Sequence, residues 1–409
     1  MARRGVIEDL QALRRFGAVN FVESSFGGDG RAKGVCRPAL SKADLDARLW
    51  FAERCADAGL TPRIDRFGTV LAGKGGLLCG SHSDSQAQGG WLDGALGCAY
   101  ALEVAREVPG VSAVNFQDEE GRFGTLTGSR TFCGEDLDFD AMSLSPEWAA
   151  PKQTLGEALE AARPTLETSN YFFDGFLRIE EHHRGFFEAH IEQGRRLERA
   201  GLECAGVSSI VGLRQLRITA FGEQNHAGTT LTVDRRDAGR ALLRLCAEAD
   251  EAFGHLAGWA QDLVWTFGIV DLKPGAASII PSLAEAVLQI RDPDDDVLGA
   301  AEDTVRELAK RAAVDVRVSH DRPPLLPTPM DEAMLGHLRE AGVETEMRSG
   351  AIHDAASLAR AGVPAAMLFV PSIGGVSHAH HEDTRDADIL KGAQVYVEAA
   401  RRMTSSSPR

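Results

Sequence analysis

The chain has 409 residues, with 44 Lys and Arg against 60 Asp and Glu and a formal charge of −16. That length exceeds what one compact core fills, and 44% hydrophobic with 25% charged residues excludes a disordered chain, so two globular domains are expected. The acidic balance argues against a nucleic-acid or anionic-membrane binder, because phosphate contacts need clustered Lys and Arg.

In chain order, MARRGVIEDLQALRRFG carries charge but no apolar core and predicts an amphipathic first helix rather than a signal peptide. No apolar run approaches the roughly 18 residues a membrane span requires. The cysteines (Cys36, Cys55, Cys79, Cys98, Cys133, Cys204 and Cys246) are odd in number and form no C-x-x-C pair. Most read as small buried residues of a protein in a reducing cytoplasm, and the set reads neither as a disulfide framework nor as a zinc knuckle. The first half alternates short apolar runs with helical patterns, as an α/β sheet does. Gly76–Gly80 leads into His82 and Asp84, and Val111–Phe116 leads into Asp118-Glu119-Glu120. Phe186–Ile191 carries His190 and runs on to Gln193. Open α/β sheets place their sites at such carboxyl ends.

The texture changes from Leu213 to Leu326. Leu216, Ile218 and Ala220 alternate with polar residues; a helical stripe runs through Ala238, Leu242, Leu245 and Ala249. A strand through Ala286, Leu288 and Ile290, a helix through Ala301, Val305 and Leu308, and the strand Val314–Ser319 follow. This β–α–β–α–β order predicts a small α+β domain at 213–326, inserted between catalytic segments 1–212 and 327–409. The Pro-rich Arg322–Pro329 forms the return hinge, a helix and the strand Ala365–Val370 resume the first texture, and the terminal SSSPR is a tail.

Taken singly, His82 or Asp84 means little; the ensemble carries the chemistry. His82 and Asp84 end one strand, Asp93 precedes a helix, and Glu119-Glu120 end the next strand. His190 ends another, and His378 lies in the Gly-rich loop PSIGGVSHAHHED. Imidazoles and carboxylates delivered by several rigid elements are what two borderline metal ions sharing a bridging carboxylate require. Neighbouring side chains on an extended segment point apart. One glutamate can therefore ligate metal while the other takes a proton from an activated water.

The segments GSHSDSQAQGGWLDGALG, DEEGRFG, EAHIEQG, NHAGTT…RRDA, SGAIHDA and PSIGGVSHAHHE resemble the N-carbamoyl-L-amino-acid hydrolase and allantoate amidohydrolase family over about residues 5 to 400. The resemblance implies a zinc-aminopeptidase-like α/β/α catalytic domain with an inserted ferredoxin-like α+β lid that makes a homodimer. It implies two divalent ions per subunit, zinc first and manganese, cobalt or nickel otherwise. His82, Asp93 and His190 would hold one ion, and Glu120 and His378 the other, with Asp93 bridging. Glu119 would be the general acid/base and Asp84 the carboxylate orienting His82. Gln193, His226, Ser278, Arg291 and Gly375 would contact a small substrate bearing a carboxylate, His226 from the partner subunit. His380, His381, His182 and His183 match no motif and read as solvated or structural, Trp91 as packing or pocket wall, and Arg195-Arg196 and Arg235-Arg236 as surface charge.

The departures fall on specificity. Gly275 and Ser278 stand where the family often has asparagines, Thr229-Thr230-Leu231-Thr232 replaces Thr-Thr-Pro-Met, and Ile352 replaces a glycine. Ala87 replaces a frequent proline, and DEEGRFG is one residue short, which could shift Arg122 and Phe123. The expected activity is hydrolysis of an N-carbamoyl-L-amino acid or a similar linear amide. Alternatives are an allantoate or other ureido amidohydrolase, an aminoacylase or dipeptidase of the same superfamily, or an inactive relative serving in binding or assembly.

Overall fold

The computed structural model describes residues 4–19, 33–142 and 153–405. Helix α1 (Arg4–Arg14) is the amphipathic segment expected at the N-terminus and buries Val6, Leu10 and Leu13. Of the terminal SSSPR, all but Ser405 lies outside the described residues. Helix α2 (Lys42–Asp57) starts at Ser41, whose hydroxyl accepts the Asp44 N–H as an N-cap. Strands β1 (Pro62–Ile64), β2 (Val70–Ala72) and β3 (Gly76–His82) follow, then α3 (Ala95–Glu107) and β4 (Val111–Phe116). Helices α4 (Thr127–Phe132) and α5 (Leu155–Leu166) lead to β5 (His183–Ile191), α6 (Arg196–Ala200) and β6 (Ala205–Ile210). The middle of the chain forms β7 (Gly212–Phe221), β8 (Asn225–His226), α7 (Ala238–Ala257), β9 (Val264–Lys273), β10 (Ile279–Ile280), β11 (Leu283–Asp292), α8 (Asp295–Lys310) and β12 (Asp315–His320). It closes with β13 (Thr328–Pro329), α9 (Glu332–Glu340), β14 (Glu346–Ser349), α10 (Asp354–Arg360), β15 (Ala365–Val370) and α11 (Asp386–Ser405).

Two compact units result. The first comprises the chain up to Ser208, Pro329–Met347, and Ile352 onward. Its mixed sheet runs β1-β2-β4-β3-β5-β15-β6-β13, with β14 on β6. The four central strands β4, β3, β5 and β15 are mutually parallel. β4 and β15 are buried at every position and β3 at all but its first, which requires cover on both faces and explains their continuous apolar runs. Parallel neighbours end on the same side, so everything that follows β3, β4, β5 and β15 converges there.

The second unit comprises Ser209–Thr328 and Arg348–Ala351. The last four residues join it through Arg348 on Asp262 (3.1 Å), the Val211 N–H on Ser349 O (3.1 Å) and Arg291 on Gly350 O (3.2 Å). A four-stranded antiparallel sheet, β12-β7-β11-β9, carries α7 and α8 on one face. Leu216, Ile218 and Ala220 of β7 and Ala286, Leu288 and Ile290 of β11 supply the buried side of the ladder. Each large one contributes roughly 1.5–3 kcal/mol by leaving water. The β–α–β–α–β expectation omits β9. Its alternation breaks at Gly268, an extra residue between the pairs Ile269–Val287 and Phe267–Leu288. Trp265 and Phe267 before this bulge and Leu272 after it pack on the core, so the inward parity switches partway along the strand.

Among the described residues no helix is long and apolar enough to cross a membrane. All seven cysteines are unpaired; Cys55, Cys79 and Cys98 are buried and Cys36 is exposed.

Candidate metal centre and active site

The sheet delivers the site as its polarity dictates. His82 is the last residue of β3, and Asp93 precedes α3. Glu119 and Glu120 follow β4, His190 lies on β5, and His378 sits in the loop after β15. Asp93 is the centre. Its Oδ1 lies 3.0 Å from His190 Nε2 and 3.8 Å from His82 Nε2, while its Oδ2 lies 3.1 Å from His378 Nε2. His378 Nε2 is also 3.4 Å from a Glu120 oxygen. His82, Asp93 and His190, and likewise Asp93, Glu120 and His378, each bring one donor atom within 4.8 Å of the others, so each trio could hold a metal ion.

The imidazoles are set for that task. His82 Nδ1 lies 3.1 Å from the Asp84 carbonyl oxygen and His190 Nδ1 lies 2.9 Å from that of Ile191. A ring that donates from Nδ1 to a carbonyl turns Nε2 inward. In neutral His82 this is a bare lone pair, and in His190 an N–H toward Asp93, where a bound cation would take the proton's place. Burial pulls the His82 pKa down to about 3, keeping the ring neutral. Burial also acts on His190, but the bond to Asp93 and its charge overcome it and push the pKa up to about 9. Burial raises Glu119 well above the usual carboxylate range, and Glu120, crowded also by Asp93, rises to about 8. A pocket that holds Asp84, Asp93, Glu119 and Glu120 out of water is built for positive charge, and its nitrogen and oxygen donors fit divalent cations.

Loop geometry aims these groups. Asp118, Gln193 and His378 adopt positive φ (54°, 59° and 52°), a costly conformation for residues other than glycine that concentrates at functional sites. Asp118 accepts the N–H groups of Phe123 and Gly124 and the Thr127 hydroxyl, fixing the turn that presents Glu119 and Glu120. Glu119 Oε2 lies 3.6 Å from His82 Nε2, beside the candidate ligands. The shortened DEEGRFG turn leaves Arg122 donating to Ala39 O with its guanidinium over Phe123.

Asp84 differs in detail from its expected role. Its main-chain oxygen meets His82, whereas its carboxylate lies 3.7 Å from Nδ1, accepts the Glu120 N–H (3.2 Å) and faces Arg48 (3.4 Å). Gln193 donates to Asp93 Oδ2 and to Ser377, while its buried Oε1 has no protein partner. Gly375 (φ 66°) packs on this turn, where a Cβ would stand 2.3 Å from Arg195 Cγ.

His226, Ser278 and Arg291 lie in the second unit. His226 is exposed, and its Nδ1 accepts the N–H groups of Gly228 (3.0 Å) and Thr229 (3.2 Å), which leaves Nε2 as the proton-bearing, outward nitrogen. Ser278 sits beside it, its carbonyl accepting the Ala227 N–H. Arg235 is not plain surface charge: it donates to Thr230 O and Ala227 O and shapes the His226 loop. Arg291 donates to Gln289 and to Gly350 O.

Glu382, which the SH-x-x-x-E pattern selects together with His378, accepts the N–H groups of Leu92 and Asp93, and Ser377 bridges it to Asp93 Oδ2. Sequence reasoning gave it no role beyond that pattern and missed other supporting groups. The buried pair Asp44–Arg48 also escaped notice, although both interrupt the apolar stripe of α2. Trp91 is buried and donates to Asp383, a packing role. His381 is exposed, but His380 is half-buried over Gly34, where a Cβ would meet its ring at 2.5 Å. His182 pairs with Glu180 and His183 packs edge-on to Phe132, both structural.

The model of peptidase family M20/M25/M40 matches residues 88–402. The chain is 31% identical over 399 residues to allantoate amidohydrolase of Escherichia coli, covering 91% of this chain and 93% of that one. It is 29% identical over 399 residues to N-carbamoyl-L-amino-acid amidohydrolase of Paenarthrobacter aurescens, covering 91% and 94%. A solved amidase of the hydantoinase/carbamoylase family from Burkholderia phymatum superposes with a TM-score of 0.81 at 37% identity, over 98% of this chain and 97% of the other.

Proposed function

Because the chain belongs to peptidase family M20/M25/M40, we propose that it is a two-metal amidohydrolase cleaving a C–N bond of an N-carbamoyl-L-amino acid or similar ureido substrate. The observation that carries this reading is Asp93, whose two oxygens face separate donor groups. His82, Asp93 and His190 would hold one divalent ion, and Asp93, Glu120 and His378 the other. When bound, such ions supply Lewis acidity toward the scissile carbonyl and acidify the attacking water.

The chain's own residues do the rest. Glu119 takes the water's proton as oxygen attacks the carbonyl carbon, and returns it to the nitrogen as the C–N bond breaks. Gln193 offers a carboxamide oxygen to a substrate N–H. His226, with its proton on Nε2, donates to the developing oxyanion, and Arg291 takes the substrate carboxylate in its planar fork. Ser278 and Gly375 are the remaining candidate substrate contacts. The second unit is read as the surface of a homodimer, and the unpaired cysteines accord with a reducing cytoplasm.

Glu119→Gln tests the assignment: the variant should retain metal and lose turnover, and retained hydrolysis would sink it. Allantoate is the second reading, favoured by the Escherichia coli relative and allowed by Gly275 and Ser278 in place of the family asparagines. A panel of N-carbamoyl amino acids, allantoate, N-acetyl amino acids and dipeptides, assayed with Zn²⁺, Mn²⁺ and Co²⁺, separates the two. Activity confined to dipeptides rejects both.

A further inference from the structure

Arg48 lies in none of the segments that carry the chemistry, on a helix that supplies no site residue. It is nevertheless fully buried, and its guanidinium reaches the ends of two site-forming strands. Nε donates to Asp44 (2.9 Å) on the preceding turn of α2. Nη1 reaches Gly68 O (3.3 Å), Asn115 O (3.1 Å) and Asn115 Oδ1 (3.2 Å). Nη2 donates to Phe116 O (2.9 Å) and meets Asp84 Oδ1 (3.4 Å). Phe116 is the last residue of β4, four positions before Glu120, and Asp84 stands two beyond His82. The same two segments are tied again: Asp84 Oδ2 accepts the Glu120 N–H (3.2 Å), and the Asn115 amide donates to Ser83 Oγ (2.8 Å).

We infer that Arg48 is a positioning residue of the metal centre: by clamping Asp84 and the β4 terminus together, it sets the spacing of His82 on one side and Glu119 and Glu120 on the other. The inference rests on the two-metal reading above. A guanidinium is required because the acceptors fan out in three directions around one plane. An ammonium keeps the charge that Asp44 and Asp84 need but cannot span strand end, loop and helix together. Removing the guanidinium would leave the buried carboxylates of Asp44 and Asp84 without their shared cation, and the end of β4 before Glu119 and Glu120 would lose its anchor at Phe116 O.

The test is Arg48→Lys, with Mn²⁺ titrated calorimetrically into the chelator-treated full chain, alongside kcat, KM and the unfolding midpoint. Groups that orient metal ligands change affinity by about 10- to 100-fold when lost. Mn²⁺ affinity should fall by that factor, and kcat at saturating Mn²⁺ should fall with it, while KM moves little. A merely structural role would lower the unfolding midpoint and leave the Mn²⁺ affinity of the folded protein unmoved, overturning the inference. Should Arg48→Lys fail to fold, the pair Arg48→Gln with Asp44→Asn removes the clamp and a matching buried carboxylate charge together, and wild-type Mn²⁺ affinity there overturns it equally. A wild-type chain that takes up no Mn²⁺ removes the two-metal reading, and this inference falls with it. Normal uptake in wild type with unaltered variants rejects the inference alone.

Discussion

Gly90 faces Glu382 so closely that a methyl group built there would sit 1.9 Å from the carboxyl carbon. That carboxylate holds the backbone of Leu92 and Asp93 and, through Ser377, Oδ2 of Asp93. Gly90→Ala should therefore displace Glu382, at about 1–3 kcal/mol of overpacking cost. Metal content after desalting should drop, and kcat should fall by about 10- to 100-fold. Stoichiometric metal with wild-type kcat would refute the coupling. Asp65 makes a different prediction, away from the metals. It accepts the N–H groups of Phe67, Thr69 and Leu177, yet burial outweighs these bonds and the charge of Arg48 and pushes its pKa up to about 7. Its folded pKa lies above the unfolded 3.8, so the folded state holds the proton longer. Stability from this group is full below about pH 4 and is lost as pH rises toward 7. Wild type should lose about 2–3 kcal/mol relative to Asp65→Asn between pH 5 and pH 8, read from urea unfolding. A pH-independent difference would show that the three N–H bonds cancel the burial cost.

At the scale of elements, legibility followed periodicity. Strands β3, β4 and β5 were readable because parallel interior strands are short, mostly apolar runs, and the polar residues at the end of each marked the site face. The strand ends thus grouped His82, Asp84, Asp93, Glu119, Glu120, His190 and His378, and the choice of His82, Asp93, Glu120, His190 and His378 as ligands came from the family resemblance. Arg48 and Asp44 could not be grouped with them, because a charged residue on an apolar helical stripe discloses its partners only when distant strand ends arrive beside it. Strand β9 was hidden for a local reason: the bulge at Gly268 shifts its inward residues from odd to even positions. That strand is an open edge of its sheet and leaves Val264, Ile269 and Val270 about half exposed (53%, 57% and 49%). Leu243 of α7 is similarly exposed. Apolar edge strands left open invite strand pairing, so this edge is where a second copy would add. On the proposed homodimer reading, Ile269→Lys should sediment as a monomer where the wild type sediments as a dimer, with unchanged far-UV circular dichroism. A variant that stays dimeric would move the interface elsewhere.

Across the whole molecule, the charge of −16 divides unevenly between surface and site. Asp84, Asp93, Glu119 and Glu120 concentrate acid in a buried pocket, and two divalent ions would neutralise it and make the entrance hospitable to an anionic substrate. Of the remaining acid, Asp44, Asp65, Asp118 and Glu382 are buried and hold backbone or side-chain partners, and the exposed rest does not specify chemistry. A proposed dimer has a sharper consequence, because His226 belongs to one compact unit and Glu119 to the other. If His226 serves the partner's metal centre, Glu119→Gln and His226→Asn complement each other. Each homodimer is inactive, but in a hybrid the His226→Asn chain keeps an intact Glu119 and receives His226 from the Glu119→Gln chain. Equal amounts, unfolded and refolded together, give half hybrids with one competent site each. The mixture should therefore recover about a quarter of wild-type activity, as random assembly of two-fold dimers requires. If His226 acts within its own chain, every hybrid site lacks one of the two groups and the mixture stays at the homodimer background.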